Sequence, residues 1–167
     1  MPIATLTLIH VLLSLVGIGS GFIVVYGALA RKRLDGLTGI FLVSTALTSL
    51  TGFLFPFEHL LPSHVIGGIS LVVLAIAILA RYALRLERAW RSIYMVCAVI
   101  ALYFNVFVAV AQSFLKVPAL KALAPTQKEP PFLIAQLAVM AFFIVLGTFA
   151  VKKFRTEPAA RAASQRS

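Results

Sequence analysis

Two histidines and a glutamate fall within seven residues of each other in the stretch FPFEHLLPSH (55–64), and the only other histidine of the chain is His10. Neutral imidazoles and carboxylates are nitrogen and oxygen ligands, so His10, Glu58, His59 and His64 offer a set suited to zinc, copper(II) or iron rather than to a thiolate-preferring ion. A second chemistry uses His10 and His64 alone. Two imidazoles can ligate the iron of a haem b from opposite faces, and Gly67 and Gly68, one turn beyond His64, would leave clearance for the flat macrocycle. That use requires the segments carrying His10 and His64 to be neighbours. The same groups also suit a proton relay or a polar substrate contact. The plainest alternative is that each histidine rests at a membrane interface with its apolar body in lipid and its polar tip in water, while Glu58 is solvated in a loop. Cys97 lies within an apolar run and reads as a small core residue; a single cysteine forms no intramolecular disulfide.

The elements that carry these residues are dictated by composition. Of 167 residues 61% are hydrophobic and 12% charged, the latter about half the usual share in soluble domains. The mean hydropathy is +1.02. Five apolar segments, at about 5–30, 36–57, 63–84, 92–115 and 132–151, reach the roughly 20 residues a helix needs to cross the hydrocarbon core. None shows the short, period-two strands of a membrane barrel, and helices are the remaining way to satisfy backbone polar groups in lipid. The expected fold is therefore all-α: one polytopic bundle of five transmembrane helices over 1–155, followed by a basic tail, 156–167, with no apolar face and no expected order.

Charge gives the expected orientation. Arg31, Lys32, Arg33, Arg81, Arg85, Arg88, Arg91, Lys152, Lys153, Arg155, Arg161 and Arg166 would lie on one side, and Lys116, Lys121 and Lys128 on the other. By the positive-inside rule the N-terminus is outside and the C-terminus cytoplasmic, in a bacterial-type inner membrane. The net charge of +10 thus reflects topology and phospholipid contact rather than nucleic-acid binding. The first run lacks a preceding basic residue and is too long for a signal h-region, so it reads as a retained span. Counted along the helices, His10, His59 and His64 share one depth at the outer boundary, with Gln112, Glu129 and Gln136 nearby. Asn105 is the polar residue placed clearly mid-span.

Small residues mark packing faces: Gly17 and Gly21 on the first span, Ser44, Thr45, Thr48, Ser49, Thr51 and Gly52 on the second, and Gly67, Gly68 and Ser70 on the third. The run GIGSGF is no dinucleotide fingerprint, since it lacks the third glycine and a preceding strand. Pro118 is placed to begin a short interfacial helix with Lys121 toward water. No nucleophile elbow, metalloprotease helix or phosphate loop is present. The expected function is a small redox or metal- or haem-binding membrane subunit with its ligands at the periplasmic face. The alternatives are a non-catalytic accessory or assembly subunit, or a small-molecule transporter. Transport is the weaker of these, because ionisable groups are missing from mid-span. The expected partners are the bilayer and another membrane protein or a second copy of the chain.

Overall fold

The computed structural model describes residues 3–55 and 62–164, the side chains of 62–63 and 155–164 excepted. Every regular element among the described residues is helical: α1 (Ile3–Leu29), α2 (Asp35–Gly52), α3 (Pro62–Ile78) continuing into a π-helical turn (Leu79–Ala83), α4 (Trp90–Lys116), the short α5 (Pro118–Leu123) and α6 (Pro130–Ser164). Among the described residues four helices are long and apolar enough to cross a membrane: Ile3–Leu29, His64–Ala83, Trp90–Lys116 and Pro130–Phe154. The one helix of comparable length outside this set, α2, has 18 residues, begins at Asp35 and stops at Gly52, five residues before the expected end. Its polarity is turned inward. Thr38, Ser44, Thr45, Thr48 and Ser49 are all buried, and Thr38, Ser44, Thr48 and Thr51 each donate to the carbonyl four residues back. These hydroxyls need no water, because their own helix satisfies them.

Helix ends follow local chemistry. Pro118 starts α5 at the first helical position, where its missing N–H costs nothing. α1 ends in a Schellman arrangement, with Lys32 N–H donating to Gly27 O at 2.8 Å and Arg31 N–H to Ala28 O at 3.2 Å. Arg31 occupies the left-handed position at φ 57°, where glycine is usual. The α3–α4 connection also bends through left-handed residues, Arg85, Leu86 and Arg88. Buried Leu86 anchors that bend, its N–H bonding Ala80 O. At the other terminus the backbone stays helical to Ser164, whereas the sequence suggested an unordered stretch from 156. The alanines of this segment are the best helix formers, and propensity continues the helix where hydrophobic patterning has ceased to call for one.

α4 is the axis of the bundle. It packs against α1, α3 and α6 and touches α2, and it buries Tyr94, Met95, Cys97, Ala98, Val99, Ala101, Leu102 and Asn105. Cys97 thus lies in the core. α1 runs along α2, α2 packs on α3, and α6 closes the structure against α4 and α1. α1 and α3 do not pack along each other; α2 lies between them. Close approach of α1 depends on glycine. A Cβ at Gly21 would come within 2.7 Å of Leu102 Cδ1 and 2.9 Å of the Phe41 ring, so α1 is seated directly against α2 and α4 there.

Candidate functional site

His10 sits one third of the way along α1, half-buried, with Nδ1 2.9 Å from Thr51 Oγ1 in the last turn of α2. Thr51 Oγ1 already has carbonyl acceptors for its proton, Leu47 O at 2.8 Å and Thr48 O at 3.1 Å. The hydroxyl must then accept from the imidazole, which assigns the proton to Nδ1 and leaves the lone pair on Nε2. The ring stands edge-on to Phe55, centroids 5.3 Å apart, and lies over Gly52, whose added Cβ would be 3.7 Å from His10 Cε1. A Cβ at 52 would thus only make ordinary van der Waals contact with this ring.

His64 lies in the first turn of α3, only 7% exposed, with its ring 5.8 Å from that of Phe53. Phe53 follows the last residue of α2 and reaches across to α3. It also covers Gly67: a Cβ there would meet the Phe53 ring at 3.4 Å, whereas Gly68 faces open space. One turn deeper, Ser49 donates to Ser70 Oγ at 3.3 Å, a second tie between α2 and α3.

These positions bear directly on the haem arrangement. The arrangement needs His10 and His64 to face one ring; α1 and α3 do not pack along each other, α2 packs on both, and the Phe53 ring lies against Gly67. As to a metal, no group of three or more His, Cys, Asp or Glu side chains comes together among the described residues. Glu58 and His59 lie outside the described residues. What the structure does bring together is each histidine with α2, through Thr51 for His10 and Phe53 for His64.

A second polar layer lies mid-bundle. Asn105 of α4 is 7% exposed and donates from Nδ2 to Thr45 Oγ1 at 3.1 Å. Gly17 makes room for this pair, since a Cβ there would stand 3.0 Å from Thr45 Oγ1, 3.1 Å from Asn105 Nδ2 and 3.3 Å from Ser44 Oγ. Asn105 was legible as the buried polar residue, and its partner was not, because sixty positions separate them. Nearer the histidines, Gln136 Nε2 donates to Phe107 O at 3.1 Å and Gln127 Nε2 to Ala111 O at 2.7 Å, joining α6 and the loop before it to α4. Gln112, expected in the same layer, is exposed.

The opposite end holds residues that the sequence marked only as topological charges. Arg81, its side chain 8% exposed, pairs with Asp35 at the start of α2. Its guanidinium also lies 5.3 Å from the centroid of Tyr94 and 5.7 Å from that of Tyr82. Arg91 stacks similarly on Phe154 at 4.9 Å. Aromatic residues beside arginines in the sequence were the one available sign of this arrangement. No protein-family model matches the chain, and no curated protein or solved structure shows significant similarity to it.

Proposed function

We propose that this chain is a non-catalytic accessory or assembly subunit of a membrane protein complex. The observation that carries the reading is that its scarce polar side chains are used between its own helices: His10 with Thr51, Asn105 with Thr45, Gln136 with Phe107 O, Arg81 with Asp35. Such ties fix one arrangement of helices in a solvent where apolar contact alone discriminates poorly. The face turned outward is apolar, and on α6 it carries Ala138, Ala141 and Thr148 at helical spacing among larger exposed residues. Small residues so placed let a partner helix approach closely. In this reading α2 also crosses the bilayer, its hydroxyls satisfied internally, which gives five spans with the N-terminus outside, the histidine end periplasmic and the basic end cytoplasmic in a bacterial-type inner membrane.

The test is native electrophoresis of membranes solubilised in mild detergent. The chain should migrate in an assembly larger than itself, and Ala138→Leu with Ala141→Leu should release it without lowering its own melting temperature. Migration as a monomer, unaffected by these changes, would sink the proposal.

One observation favours a second reading. An imidazole whose Nδ1–H is held by Thr51 presents Nε2 as metal-ligating histidines do, and Glu58 and His59 follow Phe55, its ring neighbour, by three and four residues. His10, Glu58 and His59 would then form a single-metal site of zinc, copper or iron chemistry without His64. Stoichiometric metal in the purified chain, lost in His10→Ala, would establish it in place of the accessory role.

A further inference from the structure

Two hollows at the basic end are lined by consecutive residues of α1 and of α6. One is a cavity of about 20 Å³ whose lining includes Ala28, Lys32, Arg33, Arg81, Tyr94 and Phe154. The other is an open groove of about 350 Å³ lined by Leu29, Phe142, Val145, Leu146, Phe149 and Lys153. They are one residue apart on both helices, Ala28 against Leu29 and Phe154 against Lys153. The first is polar and strongly cationic; the second is apolar with a lysine at one end.

Tyr94 is among the residues that line the cavity. The residue is 1% exposed, and its hydroxyl makes no hydrogen bond of full geometry among the described residues, although the Thr38 hydroxyl and the Arg81 guanidinium lie beside it. Its neighbours are committed elsewhere. Thr38 Oγ1 donates to Leu34 O at 2.8 Å, and Arg81 is turned to Asp35. A buried hydroxyl without a well-made hydrogen bond is destabilising, so an acceptor is favoured there. The cavity holds about one water-sized group. Lys32 and Arg33, which line it, are exposed.

We infer that this end of the α1–α6 crossing binds one anionic phospholipid from the surrounding bilayer. The headgroup phosphate lies over Lys32 and Arg33, one oxygen reaches toward Tyr94 Oη directly or through a single water, and an acyl chain occupies the groove along Phe142, Val145 and Phe149. Charge-assisted donors at headgroup depth, next to an apolar trough, match a molecule that is anionic at one end and hydrocarbon at the other. Free phosphate would satisfy the donors and leave the groove unused.

The experiment uses the full chain in neutral detergent, with native mass spectrometry and thermal unfolding in the presence of phosphatidylglycerol, phosphatidylcholine or inorganic phosphate. One phosphatidylglycerol should be retained per chain and raise the melting temperature by several degrees, with little effect from the other two. Tyr94→Phe, which keeps the ring, and the exposed double change Lys32→Gln with Arg33→Gln should each weaken retention several-fold, while Lys128→Gln at the other end should not. Should Tyr94→Phe fail to fold, the double variant alone decides. Equal retention of the two lipids, undiminished retention in the double variant, or a full response to inorganic phosphate would overturn the inference. None of these outcomes depends on whether the chain has a protein partner, because they are read on the isolated chain.

Discussion

At the residue scale, the contact between His10 and Thr51 is the clearest case of a sequence signal whose meaning changed on folding. Three histidines at one depth suggested ligands; position along the chain could not show that Thr51, 41 residues away, would engage the first of them. A double-mutant cycle of His10→Phe and Thr51→Val, read by thermal unfolding in detergent, should give a coupling of about 0.6 kcal/mol, the average for polar pairs between membrane helices. Zero coupling would mean the two groups act independently. Glu129 offers a pH-dependent counterpart outside the apolar helices. Desolvation pushes its carboxyl up, but hydrogen bonds from the Thr126 hydroxyl and from backbone N–H groups, those of Thr126 and Lys128 among them, outweigh this and hold it below the usual glutamate value of 4.5. A carboxyl lowered in the folded state stabilises the fold above its unfolded pKa and ceases to do so as pH falls through the folded one. Unfolding measured between pH 6 and about pH 3 should therefore show a loss of stability on the acid side that Glu129→Gln removes. An unchanged acid limb in that variant would place the dependence elsewhere.

At the scale of elements, four apolar helices were readable because bilayer thickness imposes a length that runs of Leu, Val, Ile and Phe announce. The end of α2 was not readable, since FLFPF looks as apolar as the helix before it. The chain turns at Phe53, whose ring is used against Gly67 and His64 instead of extending the span. Which helices are neighbours was equally hidden: α2 packs against both of the helices that carry the two histidines spacing had suggested as a pair. The glycine faces were legible, and their loads differ. Gly21→Ala should destabilise the bundle by about 1–3 kcal/mol, as expected when a methyl is forced into a filled contact. Gly19→Ala, with nothing within 4 Å, should be neutral or slightly stabilising. Equal melting temperatures for the two variants would mean that α1 does not seat as described. Arg31→Gly, at the left-handed end of α1, should raise stability by up to about 1 kcal/mol, because glycine adopts that conformation without the steric cost; a lowered melting temperature would show that the arginine side chain matters more than its backbone.

At the scale of the whole molecule, charge separates the two ends: Arg31, Lys32, Arg33, Arg81 and Arg91 at one, Lys116 and Lys128 near the histidines at the other. A reporter active only in the periplasm should work when fused after Thr126 and fail after Leu86 or at the C-terminus, and the reverse pattern would invert the proposed orientation. The central place of α4 also bears on how the chain is made. Helices leave the ribosome in order, so α1, α2 and α3 are made before α4, against which α1 and α3 pack. During that interval Gly17 and Gly21 have only α2 to lean on, Thr45 has no Asn105, and Arg81 can already meet Asp35 but not Tyr94. Until α4 is made, the seam that it fills between α1 and α3 has no occupant from this chain. A translation arrest before residue 90 would leave that seam available to whatever insertase or quality-control helix is nearby, which makes synthesis of the fourth helix the moment at which this protein becomes committed to its own fold.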